Sequence, residues 1–534
     1  MRISPIPHVW RQKRALSSEF RTFGARSAKC PPSRHDPVNR AVALPPLPDR
    51  DPAPEQFPVA TGLGSQALRN TALVLTAKVV ARLIALVTVI ALLNHLTAGP
   101  YGTFTTLVNY TAIVSVVLDL GFNVLFVREG ARHREEIQRY LRNVMSARLL
   151  LAVVSFVLLA IALGVAGLGS LLLPAFALMV LTSYATLLRN TLYAVQRLGY
   201  EAAAVVLESA LLLTLVVTGI KAGAGVTYFV WAYAAQYAFS CAYFAIVLAV
   251  RKIAVVGWKF EPDFIRAWFW QGLPFALTFV LTILYFRLDQ PLIYALRSDF
   301  EAGWYGAAYK PFEALLFIPM TFLSVVFPVL SVYHRERPQE MLDAVSRFFK
   351  ALLLMGWPMT VGIFMLAHPL TSALRLYPES EPALRILSLS LVIAFVNNAF
   401  IGALSAADRQ TSFTWAAGWS LLANLVLNLA LIPRFGYLGA SWATVLTEVV
   451  LGVAGWTLTA RHIGPVRILE LSWRPILAGL VMAVVLYFLR DFGGQLILIP
   501  ILVGALIYSA ASVVLRAVTS EEIAFARRAL ALAR

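Results

Sequence analysis

Fourteen apolar runs, each close to the length of a bilayer-spanning helix, divide this chain between residues 70 and 515. They lie at about 70–96, 101–127, 143–166, 170–192, 201–220, 226–250, 270–296, 303–333, 349–374, 383–405, 412–432, 436–460, 474–490 and 495–515. A hydrocarbon core of about 30 Å takes roughly 20 helical residues to cross. Backbone groups in hydrocarbon must bond within their own segment, so the runs are predicted to be helices. The predicted class is an all-α polytopic membrane protein of about fourteen transmembrane helices. Composition points the same way: 59% of residues are hydrophobic and 14% are charged, where a soluble domain carries about 25% charged residues.

The formal charge of +17 is distributed as the orientation rule for membrane proteins requires. With the N-terminus inside, the connections on the inner side hold nineteen Arg and Lys and those on the outer side hold six. Both termini are therefore predicted to be cytoplasmic, in a bacterial inner membrane. Nucleic acid is excluded as a partner, because no basic-aromatic sheet pattern or zinc spacing occurs. Cys30 and Cys241 lie in a polar tail and an apolar run, so neither a disulfide nor a metal site is expected.

Residues 1–66 are rich in Pro and Arg and lack the apolar core of a signal peptide. They read as a disordered cytoplasmic tail; initiation near Val59 is the alternative. An N-lobe over 67–250 and a C-lobe over 269–460 are predicted, each of six helices. Between them, Phe260, Phe264 and Trp268 fall at i, i+4 and i+8 within a connection over 251–268. That stripe suits an amphipathic segment lying at the interface, or a loop leading into an aromatic belt. Two further helices follow over 461–518. Thr519-Ser520-Glu521-Glu522 resembles a capping box opening a short cytoplasmic helix over 519–534.

The two lobes are predicted to be repeats. Gly99-Pro100-Tyr101-Gly102 returns as Gly303-Trp304-Tyr305-Gly306, 204 residues later. Val195-Gln196-Arg197 matches Ala407-Asp408-Arg409 at an offset of 212, and Trp231-Ala232 matches Trp442-Ala443 at 211. Six helices per copy leave both copies starting from the same side, so the repeat is parallel, a design in which substrate binds between the lobes.

Tyr101-Gly102-x-Phe104, followed by Asp119-Leu120-Gly121-Phe122-Asn123 and Arg128-Glu129, resembles the first lobe of the polysaccharide flippases. A second stretch is similar to their eleventh and twelfth helices. It runs Asn424-Leu425-x-x-Asn428-Leu429-x-Leu431-Ile432-Pro433-x-Phe435-Gly436-Tyr437-x-Gly439-Ala440. This is the Wzx-like branch of the multidrug/oligosaccharidyl-lipid/polysaccharide exporter superfamily, and the resemblance covers roughly residues 68–515. It implies two six-helix bundles with two extra helices. By alternating access they would move undecaprenyl-diphosphate-linked glycans from the cytoplasmic to the periplasmic leaflet. It further implies membrane lipids as partners, along with a glycan polymerase and glycosyltransferases of the same pathway. Asp119, Gly121, Asn424, Asn428, Pro433, Gly436 and Gly439 enter as motif residues with structural roles.

Several ionisable residues fall inside the apolar runs, among them Lys78, Arg82, Arg148, Glu208, Arg287, Asp289, Lys310, Glu313 and Glu448. Each would cost roughly 2.5–3.5 kcal/mol against lipid on insertion scales, so most must face a cavity or a partner. Lys78 and Arg82 share one helix face and repel each other. An anion would relieve that repulsion, and a diphosphate suits it; snorkelling to the headgroups is the alternative. Arg148, Arg287 and Lys310 complete the candidate cavity cations. Lys310 and Glu313 share a face and would neutralise each other, whereas Arg287 and Asp289 need partners on other helices. Glu208, Asp289, Glu313 and Glu448 are candidates for ion coupling or charge pairing. Asp119, near the inner boundary, is expected to anchor the inner loop.

Other readings fit less well. A cation antiporter of the same superfamily would place acidic residues where the first helix carries Lys78 and Arg82. A membrane glycosyltransferase or polymerase needs carboxylates on a long outer loop, whereas the longest here, 375–382, holds only Glu379 and Glu381 between prolines. No nucleotide-binding loop occurs, so neither catalysis nor a cofactor is predicted. A lipid II flippase remains the nearest alternative.

Overall fold

The computed structural model describes residues 63–197, 199–491 and 496–518, with side chains from residue 76 onward. Most of the predicted tail and the helix predicted over 519–534 lie outside the described residues.

The N-lobe comprises α1 (Leu63–His95), α2 (Ala98–Asp119), α3 (Phe122–Arg132), α4 (Ile137–Val165), α5 (Leu172–Ala194), α6 (Gly199–Lys221) and α7 (Val226–Val250). The C-lobe comprises α8 (Pro262–Arg287), α9 (Asp289–Leu296), α10 (Asp299–Leu315), α11 (Phe317–Glu336), α12 (Pro338–Met365), α13 (Ala367–Ala373), α14 (Ser380–Ala406) and α15 (Gln410–His462). Helices α16 (Ile468–Leu489) and α17 (Leu498–Val514) close the chain and pack on α12. No strand occurs among the described residues. Among the described residues, twelve helical segments are long and apolar enough to cross a membrane, α10 and α11 together forming one of them. One of the twelve, α15, is two helices folded at Gly436, and α17 adds a shorter apolar helix. Each of the fourteen predicted runs is thereby accounted for.

The repeat read from sequence is visible in the backbone. Gln196 and Asp408 both adopt left-handed φ, 60° and 56°, at the turns that end α5 and α14. In each turn the following arginine amide bonds back to a leucine carbonyl, Arg197 to Leu192 and Arg409 to Leu404. Trp231 and Trp442 are exposed to the bilayer side while Ala232 and Ala443 are buried in their lobes.

Packing differs between the two ends of the bundle. At the end with few basic residues, one apolar core crosses both lobes and joins Leu92, Tyr101 and Phe229 to Ile293, Tyr305, Leu387 and Ile432. At the basic end there are two cores, one around Phe126, Leu141 and Phe244 and the other around Phe348, Leu352 and Phe395. The lobes therefore share one core at one end and have distinct cores at the other, where the start of α8 packs into the N-lobe core through Trp268.

Small residues let the lobes meet at the end with the shared core. A Cβ on Gly102 would stand 1.9 Å from the Asp299 carbonyl oxygen, and one on Gly303 would stand 1.9 Å from that of Ala98. Gly102→Val is expected to force α2 and α10 apart and destabilise the protein by about 1–3 kcal/mol of overpacking. Thermal unfolding of the purified protein checks this. Gly225→Val, whose Cβ meets nothing within 4 Å, should melt like the parent.

The second motif is a clasp. Gly436, with φ 60° and ψ −142°, turns α15 back on itself, and its Cβ would meet a Glu301 carboxylate oxygen at 2.1 Å. Glu301 accepts the Tyr437 amide (2.9 Å) and the Arg297 guanidinium (3.0 Å), and Arg297 also bonds the Pro433 carbonyl at 3.4 Å. A Cβ on Gly439 would strike the Leu431 carbonyl at 2.4 Å. Pro433, Gly436 and Gly439 therefore shape one hairpin.

The connection over 251–268 is a strap and not a free interfacial helix. Residues 254–261 form neither helix nor strand, and α8 starts at Pro262. Arg139 of α4 bonds Glu261 at 2.5 Å, Asn143 accepts the Glu261 amide at 2.9 Å, and Ser146 accepts that of Lys259 at 3.0 Å. Phe264 stacks on Tyr140 and Trp268 packs against it at a tilt, so two of the three residues of the predicted stripe pack on the N-lobe while Phe260 stays exposed, as does Trp258. Arg139, then Lys259, hold the Glu261 carboxyl down at about 2. A depressed carboxylate contributes fully above its ordinary value and is lost only as pH falls through the folded one, so this fastening persists at neutral pH.

Candidate functional site

The cavity between the lobes is lined by Thr105 and Asn109 of α2, by Phe286 and Arg287 at the end of α8, and by Asp289, Gln290, Tyr305, Tyr309 and Lys310 of α9 and α10. At 1.5 Å per residue, Lys310 lies roughly 16 Å along α10 from Asp299, near the middle of the bilayer.

Here three of the predicted cations converge on one carboxylate. Glu313 receives Arg287 at 3.0 Å on one oxygen and Lys310 at 3.0 Å on the other. Their side chains are 29%, 31% and 30% exposed for Arg287, Lys310 and Glu313. Arg82 is exposed on α1, its guanidinium 5.8 Å from the Phe317 ring of α11. It is close enough to Glu313 to interact with its charge. Across the lobe boundary, Arg287 also donates to Asn109 at 3.5 Å, and Gln290 donates to Thr105 at 2.8 Å. Arg287 and Lys310 are thus the cations of the cavity lining, Asp289 is its acidic member, and Arg82 stands nearby on α1.

The remaining predicted cations sit elsewhere. Lys78 turns from Arg82 toward α6 and pairs with Glu201 at 3.6 Å, beside the Tyr193 hydroxyl, which itself donates to Glu201. The expected like-charge repulsion is thus relieved within the N-lobe. Arg148 is corrected outright: its side chain is 0% exposed and does not line the cavity. It donates to Asp119 at 2.6 Å, to Asn123 at 2.9 Å and to the Ser183 carbonyl. Asp119 accordingly ties α2 to α4 inside the lobe, and its carboxylate also accepts the backbone amides of Gly121 and Asn123 at the turn between α2 and α3. Gly121, at φ 75°, lets α8 approach, because a Cβ there would stand 2.5 Å from the Gly272 carbonyl oxygen.

Glu208 pairs with Arg189, both of its oxygens at 2.8 Å. Arg189 belongs to the body of α5. Glu201 and Tyr193 were missed, since helix ends are poorly fixed by an apolar run alone. Asp289 accepts only neutral donors: Asn428 at 2.8 Å, Tyr305 at 2.8 Å and Thr444 at 2.9 Å. Asn424 supports Asn428 at 3.0 Å. Glu448 is held by Tyr285 and Asn397, each at 2.8 Å. Among the described residues no group of three or more His, Cys, Asp or Glu gathers to hold a metal ion.

Comparison with known proteins follows this geometry. A lipid II flippase, MurJ, in an inward closed conformation superposes with a TM-score of 0.69 at 17% identity, over 83% of this chain and 99% of that one. An inward-facing multidrug resistance MATE family transporter of the MOP superfamily superposes with a TM-score of 0.57 at 16% identity, over 72% of this chain and 94% of that one. At these identities the likeness is one of fold. No curated protein matches the sequence. The family model for polysaccharide biosynthesis proteins matches residues 67–334, half of the chain. This multi-pass membrane protein therefore belongs to the polysaccharide biosynthesis protein family and has the fold of the MOP-superfamily transporters.

Proposed function

We propose that the chain flips undecaprenyl-diphosphate-linked oligosaccharide repeat units from the cytoplasmic to the periplasmic leaflet of the inner membrane, by alternating access, for surface polysaccharide assembly. The observation that carries this reading is the pair Arg287 and Lys310 in the lining of an inter-lobe cavity, with Arg82 near the carboxylate they share. Cations at mid-membrane depth are costly unless they serve an anionic ligand or a partner. Arg is the residue suited to bidentate contact with phosphate. The separate cores at the basic end support a cavity reached from the cytoplasm, with both termini on that side.

Asp289 and Glu448, bonded only to neutral donors, are the candidates for coupling to an ion gradient; Glu208 and Glu313 are paired with cations. A glycan polymerase and glycosyltransferases are the partners that such a step requires. A lipid II flippase is the second reading, favoured by the superposition with MurJ; lipid II presents the same lipid diphosphate, and the family match favours the oligosaccharide. A multidrug antiporter for cations is disfavoured by Lys78 and Arg82 on the first helix, where such a carrier would place acidic residues.

The test is reconstitution. Proteoliposomes holding the chain should move a fluorescent undecaprenyl-diphosphate oligosaccharide between leaflets faster than protein-free vesicles. Movement of lipid II alone would transfer the assignment to the second reading, and movement of neither would overturn both.

A further inference from the structure

Two kinds of ion pair occur inside the spans. Asp119 and Arg148 are sealed, with side chains 7% and 0% exposed. The Arg287–Glu313–Lys310 triad has the same chemistry, yet about three-tenths of every member is exposed. An exposed pair is worth little to stability, so its position calls for another explanation.

The geometry within the triad supplies it. Glu313 does not chelate one cation; it gives one oxygen to Arg287 of α8 and the other to Lys310 of α10, each at 3.0 Å. Two anionic oxygens spanning two cations on different helices is the arrangement that a phosphate group would make. Arg82 stands near the same carboxylate, and among the described residues it forms no ion pair.

We propose that Glu313 is a resident stand-in for the anion of the substrate: in the empty cavity it holds Arg287 and Lys310 where the diphosphate takes them, and the arriving lipid diphosphate displaces it. This rests on the flippase reading above and assigns a positioning role to a residue that reading does not use. Without the carboxylate, three cations would face one another in a medium of low dielectric and splay apart. With it, they stay converged, and a diphosphate, carrying more charge and more oxygens, outcompetes it by reaching Arg82 as well. The competition also weakens the bound state, which lets the cargo leave on the far side. Because Arg287 donates to Asn109 of the other lobe at 3.5 Å, its transfer from carboxylate to diphosphate alters a bond between lobes.

The test uses the full chain in lipid nanodiscs, with undecaprenyl diphosphate as probe and undecaprenol as the uncharged control. Glu313→Gln, which keeps size and an acceptor oxygen but no charge, should bind the diphosphate roughly tenfold or more tightly than the parent. It should also flip the lipid-linked glycan more slowly at saturation. Glu313→Asp keeps the charge and the fold but is one methylene too short to span both cations, and it should tighten binding by a smaller factor. A purely structural role predicts weaker binding in both variants. If the parent binds the diphosphate and folded variants bind it equally or less well, this inference falls and the flippase reading stands. If the parent does not distinguish undecaprenyl diphosphate from undecaprenol, the flippase reading itself falls.

Discussion

Arg82→Glu is expected to abolish flipping while the protein remains in the membrane at near-normal abundance. Arg82 is exposed and bonded to no carboxylate among the described residues, so its loss breaks no packing interaction beyond the Phe317 contact. A carboxylate in its place would stand near Glu313 and oppose an arriving diphosphate. At an effective dielectric of about 20, like charges about 4 Å apart cost about 4 kcal/mol, so a loss of at least about 100-fold in rate is expected. Arg82→Lys should keep partial activity, since Lys retains the charge but not the planar fork. Leaflet distribution of a labelled lipid-linked glycan, measured beside protein level, is the readout. Normal flipping by a well-expressed Arg82→Glu protein would remove this residue from the site.

Asp119→Ala should instead destroy the protein. It would leave the Arg148 guanidinium fully buried with Asn123 and the Ser183 carbonyl as neutral partners. Removing one member of a buried pair costs roughly 3–5 kcal/mol, a large share of a net stability of roughly 5–15 kcal/mol. Loss of monodisperse protein on detergent extraction is the expected outcome. Asp119→Leu combined with Arg148→Met, which removes both charges together, should recover much of it, because apolar replacement of a buried pair is often neutral or stabilising. A folded but inactive Asp119→Ala protein would return Arg148 to the transport pathway.

The two charges at Arg82 and Arg148 looked alike in the sequence, and the contrast marks how far it was legible. Apolar runs, the basic asymmetry and the offset repeats were enough to foresee fourteen helices in two like lobes, because lipid leaves the backbone few options. The i, i+3 pairing of Lys310 with Glu313 was legible for the same reason, being fixed by helix geometry. Which side of its helix a residue turns to a neighbour is set by tertiary packing. Arg148 therefore passed for a cavity cation until Asp119, 29 positions away, was seen to meet it. Lys78 likewise shares a face with Arg82, and only the approach of Glu201 from α6 divides their roles. A sequence signal for that existed: Glu201 falls in the first turn of a helix otherwise apolar over 202–207, where an acidic residue usually has a partner.

Helix α8 has one foot in each lobe. Its first turn is strapped to α4 through Arg139, Asn143 and Ser146, and α9, which continues it, is locked into the C-lobe by Asn428, Tyr305 and Thr444 around Asp289. Any hinge motion that changes the angle between lobes must therefore be taken up along 262–287. Pro274 sits within that span and, lacking an amide hydrogen, leaves the Trp270 carbonyl without its helical donor. The helix is a connecting rod with a weak joint in its first half: the lobes can rock, but only together with a bend at that proline.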